Sequence, residues 1–272
     1  MRRASTCLAV VGAALLALPG VAAATPKVTL KAEAVPIPNP SGHGTIPGTG
    51  NFYGKGAAVQ AEYTITGTEY AKGAPPPLIG VTFLLPKGTK LHQQGFATCS
   101  SETLSRLGPH SCPSKSAAGP VGEAEGFVEF ENEAKEKEKV IEKAELFSFF
   151  SPGGGLEFYT EGHKPVSVEI PSFGQYVHLN GAGGFGPELI TKVPLVPSVP
   201  GAADVSVTHI KIKVGAALKK GSQWISYGTV PPKGQCPKKG FLVKSVLTFA
   251  QNGEENHPES VTVEYRAPCP RK

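Results

Sequence analysis

Val59-Gln60-Ala61-Glu62-Tyr63-Thr64-Ile65-Thr66 alternates apolar and polar side chains with a period of two. That period belongs to an extended strand with one face buried, because successive side chains of a strand point to opposite faces. The same alternation returns in Val166-Ser167-Val168-Glu169-Ile170 and in Val261-Thr262-Val263-Glu264-Tyr265. Further strand patterns lie at 28–35, 79–85, 121–130, 140–150, 156–160, 175–179, 205–214, 224–228 and 241–250. Glycine and proline, 33 and 26 of the 272 residues, punctuate nearly every gap. A dozen short strands separated by turn residues predict an all-β fold, an antiparallel β-sandwich of Ig-like or jelly-roll-like kind with one short helix. The charged run 131–145 sits between two strand patterns and reads as a solvated hairpin tip.

The N-terminus predicts export. Arg2 and Arg3 precede an apolar stretch from Leu8 to Leu18, Pro19-Gly20 breaks it, and Val21-Ala22-Ala23-Ala24 supplies an A-x-A-type cleavage site. The stretch is too short for the ~20 residues that span a bilayer. Residues 1–24 are therefore expected to be a signal peptide and 25–272 one β-sandwich unit, with a seam at 181–201. That seam combines a glycine-rich patch with Val193-Pro194-Leu195-Val196-Pro197-Ser198-Val199-Pro200, a polyproline-like connector. No membrane span is expected after removal of the signal. Without Arg2 and Arg3 the net charge falls from +5 to +3, too weak and dispersed for a nucleic-acid partner.

Cys7 falls inside the expected signal. Cys99, Cys112, Cys236 and Cys269 remain, an even set that reads as two disulfides with three connectivities. Cys99 and Cys112 bracket residues 100–107, a short helix pattern with a serine N-cap, Glu102 at its positive end and Gly108-Pro109 as its stop. Pairing these two closes a small Ω-like loop. Cys236 and Cys269 flank the strand patterns 241–250 and 260–267, with Asn252-Gly253 between them. A hairpin whose paired residue numbers sum to 505 centres on Asn252-Gly253 and sets Cys236 opposite Cys269. In loop-entropy terms the bonds are worth roughly 3 and 4 kcal/mol. Zinc is disfavoured, because no C-x-x-C or H-x₃₋₅-H pattern lies near a cysteine.

Catalytic patterns fail one after another. Asp204 is the single aspartate among 22 acidic residues, which excludes an aspartic-protease dyad and an Asp-rich calcium loop. Gly181-Ala182-Gly183-Gly184-Phe185-Gly186 matches G-x-G-x-x-G, but prolines follow it where a phosphate cradle needs a helix. Asp204 and His209, five apart at the start of a strand pattern, project to opposite faces. A pair of glutamates for glycoside hydrolysis stays open, although most glutamates occupy polar positions of alternating strands. No catalytic residue, metal or cofactor is expected.

Residues 147–185 hold eight of the 21 aromatics, together with His163 and His178. Aromatic faces with convergent polar groups build sugar and apolar-ligand clefts. The polar-tipped members Tyr159, His163, Tyr176 and His178 are the candidate ligand residues, against a plain core role for the phenylalanines.

Leu84-Leu85-Pro86-Lys87-Gly88-Thr89, Cys99-Ser100-Ser101-Glu102-Thr103-Leu104, Cys112-Pro113-Ser114-Lys115-Ser116 and Val121-Gly122 form one recognisable series. Val214-Gly215-Ala216, Tyr227-Gly228-Thr229, Cys236-Pro237-Lys238-Lys239-Gly240-Phe241 and Ala267-Pro268-Cys269-Pro270 form a second. Over about half of the chain after the signal, these resemble uncharacterised secreted β-rich proteins of high-GC Gram-positive bacteria. The resemblance implies secretion, a β-rich fold and local cysteine pairing. That group has no established activity, so it assigns no functional residue. The expectation is a secreted, disulfide-stabilised module with a non-catalytic binding or structural role, at the cell envelope or in the extracellular space. Its partners would be cell-wall polymer or another exported protein. The alternatives are a polysaccharide hydrolase with a glutamate pair and a carrier of a small apolar ligand, the latter with an aromatic cavity around 147–185.

Overall fold

The computed structural model describes residues 26–40, 42–68, 70, 73–132, 134–251 and 254–270. The expected signal peptide and the Asn252-Gly253 turn lie outside the described residues. In chain order the strands are β1 (Lys27–Val35), β2 (Ala58–Thr66), β3 (Leu78–Pro86), β4 (Lys90–Leu91), β5 (Gly122–Glu131), β6 (Lys137–Phe150), β7 (Leu156–Gly162) and β8 (Val168–His178). They continue with β9 (Phe185–Lys192), β10 (Ser206–Val214), β11 (Ala217–Lys220), β12 (Gln223–Ser226), β13 (Gly228–Thr229), β14 (Phe241–Gln251) and β15 (Glu254–Ala267). One α-helix, α1 (Ser101–Leu107), interrupts them.

Eleven strands form one antiparallel sheet in the order β1-β2-β10-β5-β6-β7-β8-β9-β3-β14-β15. Its two edges, β1 and β15, lie side by side, so the sheet curls into a nearly closed barrel. The all-β antiparallel reading stands, but the hydrogen bonding does not divide the strands into two stacked sheets. The physical reason is that alternation reports only which face is buried. A sheet curled on itself buries its concave face as fully as two stacked sheets do.

The concave face carries the apolar positions. Leu30, Ala32, Ala61, Tyr63, Ile65, Leu78, Val243, Leu247 and Phe249 form one buried cluster beside the β1–β15 seam. Lys27, Thr29 and Lys31 of β1 and Thr262, Glu264 and Arg266 of β15 face out. Apolar-inside, polar-outside is the reverse of a lipid-facing barrel, and among the described residues no helix is long and apolar enough to cross a membrane. Across the seam, the Tyr63 hydroxyl donates to Ser245 Oγ at 3.0 Å, and Ser245 Oγ donates to the Thr82 carbonyl at 2.9 Å. This bridge runs from β2 to β14 past both edge strands.

Three sequence expectations are corrected. The β14–β15 register sums to 508, from Phe241 opposite Ala267 to Ala250 opposite Pro258. The value 505 holds only at Gln251 opposite Glu254, beyond a bulge. Cys236 and Cys269 do pair, with Cα atoms 5.9 Å apart, but from loops and not as facing strand residues. A turn closed by Gly240 N–H on the Pro237 carbonyl absorbs the offset. Gly240 has φ +88°, and a β-carbon there would meet the Ala267 carbonyl. Patterns 166–170 and 175–179 fuse into β8. Its internal Pro171 is tolerated where β8 pairs with β7 alone, β9 joining only from Phe173 onward. Finally, residues 185–192, within the expected seam, form β9, which is hydrogen-bonded between β8 and β3.

The helix forms as its ends dictate. Ser100 accepts the Thr103 N–H at 3.1 Å, and Gly108, at φ +74°, returns its N–H to Leu104. The Cys99–Cys112 disulfide holds α1 against the outside of the barrel, where Leu104 covers Phe147, Phe149 and Tyr159. Glu157, buried on this outer face, accepts hydrogen bonds from Ser101 and Ser151 at 2.9 and 2.8 Å. The charged run at 131–145 is a hairpin joining β5 to β6.

Ser245→Ala leaves the buried Tyr63 hydroxyl without its acceptor and should destabilise the fold by about 1–3 kcal/mol. Tyr63→Phe removes the hydroxyl itself while Ser245 keeps Thr82, so about 0.5–1.5 kcal/mol is expected. Urea denaturation of both variants measures the difference. A larger loss in Tyr63→Phe would contradict the bridge.

Candidate functional site: the barrel lumen

The lumen holds a cavity of about 260 Å³, and every strand of the eleven-stranded sheet contributes to its wall. Side-chain size decides where the space lies. The seam half is filled by Tyr63, Leu247 and Phe249. On the far wall, the inward positions of β5, β6 and β7 carry Ala124, Gly126, Ala144 and Gly162, which leave the centre open. Aliphatic side chains such as Val207, Ile210, Ile212 and Leu189 make up much of the remaining lining.

Two buried polar atoms interrupt this apolar wall. Glu142 is only 4% exposed and occupies an inward position of β6. Its Oε1 accepts the Lys164 backbone N–H at 3.1 Å, while its Oε2 has no hydrogen-bond partner in the protein. Gly162 on β7 makes room for the carboxyl group. A β-carbon at 162 would stand 3.1 Å from Glu142 Cδ. Burial pushes the Glu142 carboxyl up from its ordinary value, opposed by the backbone N–H groups of Val166 and Lys164. The second atom is the Tyr227 hydroxyl, buried with the Tyr176 phenol as its nearest polar neighbour and no well-aligned hydrogen bond. Its ring packs 4.8 Å from that of Phe150 and 6.4 Å from that of Tyr176. Burial pushes the phenols of Tyr176 and Tyr227 up as well.

The four residues suggested by the aromatic segment are not brought together. Tyr176 lines the lumen. Tyr159 faces the opposite side of the sheet, beneath α1, and its hydroxyl donates to Glu169 at 2.6 Å. His163 is exposed beside Glu161, at 3.8 Å, and His178 is exposed near the end of β8. The expected aromatic cavity around 147–185 is corrected in the same way. Phe147 and Phe149 are outward residues covered by the helix, and the cavity lies on the other face of the sheet. Inward and outward residues alternate along β6 and β7, so one aromatic-rich segment necessarily feeds both faces.

Glu33 of β1 and Glu125 of β5 also contribute to the lumen wall, the latter paired with Lys143 at 3.6 Å. Asp204 donates its backbone N–H to the Tyr70 hydroxyl at 3.2 Å, whereas His209 lies 3.3 Å from Glu62. On the outer face, the register sets Lys31, Glu62, Lys211 and Glu123 side by side across β1, β2, β10 and β5. Glu145, Glu161 and Glu169 continue the row across β6, β7 and β8. The first four alternate in sign and support one another. The last stretch sets like charges opposite each other, on the outside of the barrel wall. Among the described residues, no group of three or more His, Cys, Asp or Glu side chains is placed to hold a metal ion.

Comparison with protein-family models, with curated proteins and with solved structures gives no match to this chain.

Glu142 escaped sequence reading, yet a signal for it exists. The period-two row Val140, Glu142, Ala144, Leu146 sets one carboxylate among apolar residues. Tyr227 gave none, because it precedes the two-residue strand β13 and its burial depends on the loop over that end of the barrel.

A carboxyl raised in the native state binds its proton more tightly there than in the unfolded chain. Stability therefore falls as the pH rises from the ordinary glutamate value toward the raised native one, then levels off. Glu142→Gln should flatten this fall on the alkaline side of the ordinary glutamate value, as read from urea midpoints. An unchanged slope would show that Glu142 is not its source.

Proposed function

We propose that this chain is an exported, non-catalytic binding protein that carries a small apolar ligand in the lumen of its barrel. The observation that carries the reading is the 260 Å³ cavity, walled by all eleven strands and apolar apart from a few isolated polar groups. Cavities of about 150 Å³ with purely apolar walls already take up benzene or xenon. A space of this size inside a hydrogen-bonded barrel is preformed, so a ligand gains burial without ordering a loop.

The outer glutamate row supports a hydrolase less well, since its carboxyls stand on the outside of the wall, on the face away from the lumen, and Glu169 already accepts the Tyr159 hydroxyl. Export rests on the basic and apolar pattern of residues 1–24 and on the resemblance to secreted β-rich proteins. The two disulfides are consistent with it, because such bonds persist in oxidising compartments. On this reading the protein acts outside the membrane, at the envelope or in the extracellular space.

The test is calorimetric titration of the purified protein, residues 25–272, with straight-chain alcohols of six to ten carbons, alongside thermal denaturation. One ligand per chain is expected, with an apparent stabilisation of about 2.7 kcal/mol at a hundredfold excess over Kd. Ala144→Phe projects a ring into the open space and should abolish binding while the circular dichroism of the barrel is retained. No binding by the natural chain, or binding indifferent to Ala144→Phe, would overturn the reading.

A further inference from the structure

We propose that the lumen selects an apolar chain bearing a protonated primary amine, and that Glu142 is the residue that receives it. This rests on the lumen being a ligand site and adds the chemistry of the head group. The juxtaposition that carries it is a carboxyl group, 4% exposed, on the wall of a predominantly apolar cavity. One of its oxygens is already held and the other is free of protein partners.

The two oxygens differ in a way that specifies the ligand. Oε1 is fixed by the backbone N–H of Lys164, so the carboxyl has a set orientation, and Gly162 supplies the niche in which it lies. Oε2 still needs a donor. Among the described residues, no ion pair of the protein involves Glu142; its charge is met from within by the backbone N–H groups of Val166 and Lys164 and by the nearby His163, and by no bonded cation. A buried carboxylate left unpaired is costly, and an ammonium group that donates to it removes that cost while forming a charge-assisted hydrogen bond. A carboxylic acid head group would set like charges together. A neutral alcohol would satisfy the oxygen but leave the charge.

The shape of the lumen suits a chain behind such a head group. Glu142, Ala144 and Leu146, alternate residues of β6, all line the cavity. They span about 13 Å along the strand at its usual rise. At about 30 Å³ per water-sized group, the cavity has room for about nine. Octylamine, with nine non-hydrogen atoms, is therefore a probe of matching size.

The test is calorimetric titration of residues 25–272 at neutral pH with octylamine, 1-octanol and octanoate. The natural protein should bind octylamine at least about tenfold more tightly than either of the others. Glu142→Gln keeps an acceptor for Lys164 and should lose that preference, so that octylamine binds no more tightly than 1-octanol. Equal affinity for octylamine and 1-octanol in the natural protein overturns the assignment, as does a preference that survives Glu142→Gln. Either result leaves the lumen as an apolar site. If none of the three binds, or if binding persists in Ala144→Phe, the lumen reading itself fails and the head-group assignment falls with it. The comparison among the three probes needs only the natural protein, so it stands even if Glu142→Gln does not fold.

Discussion

The hydroxyl of Tyr63 reaches from β2 across the lumen side of the seam to Ser245 on β14, which passes the hydrogen bond on to the Thr82 carbonyl of β3. Ten of the eleven strand neighbours in this barrel are joined by ladders, β1 through β15 in their spatial order. The eleventh junction, between β1 and β15, is made by side-chain packing. A polar bridge placed behind that junction ties the second strand on one side to the second strand on the other. Every inward side chain depends on this closure. If the edges part, the concave face becomes open to solvent and the lumen is no longer an interior.

Closure also explains where the protein concentrates its large side chains. Leu247, Phe249, Tyr63 and Ile65 pack behind the seam, where hydrogen bonding along the strands is interrupted. The opposite wall, β5 to β8, is stitched by uninterrupted ladders and sets Ala124, Gly126, Ala144 and Gly162 among its larger lumen-lining residues. A fully laddered wall stays in place without a filled interior, since its backbone groups are satisfied by neighbouring strands. The cavity and the single deeply buried carboxylate of β6 both lie on that wall. The disulfides reinforce places the ladders do not reach: Cys99–Cys112 clamps the helix on the outside, and Cys236–Cys269 joins the loop before β14 to the segment after β15.

Most strands were legible because their alternation is local. β1, β2, β5, β6 and β10 follow their sequence patterns to within a few residues, and so do the helix and both cysteine pairings. β9 was not legible. Phe185-Gly186-Pro187-Glu188-Leu189-Ile190-Thr191-Lys192 has a glycine and a proline as its second and third residues and follows a glycine-rich turn, so it reads as a connector. It becomes a strand because β8 and β3 both present free ladder positions to it. The hairpin register was not legible either. Asn252-Gly253 marks a turn, but β15 carries three extra residues between the Ala250–Pro258 and Gln251–Glu254 pairs, which moves the register from 505 to 508.

The candidate site divides along the same line. The sequence by itself determined which side chains share a face, that Glu142 belongs to an apolar row, and which cysteines pair, because each follows from spacing along one short stretch of backbone. Only the tertiary structure decided that the shared face curls into a lumen, that its centre is left open, and that Glu142 rather than Tyr159 or His163 faces it. Those outcomes depend on the order of eleven strands and on the summed volumes of side chains far apart in the chain. A two-residue period carries neither.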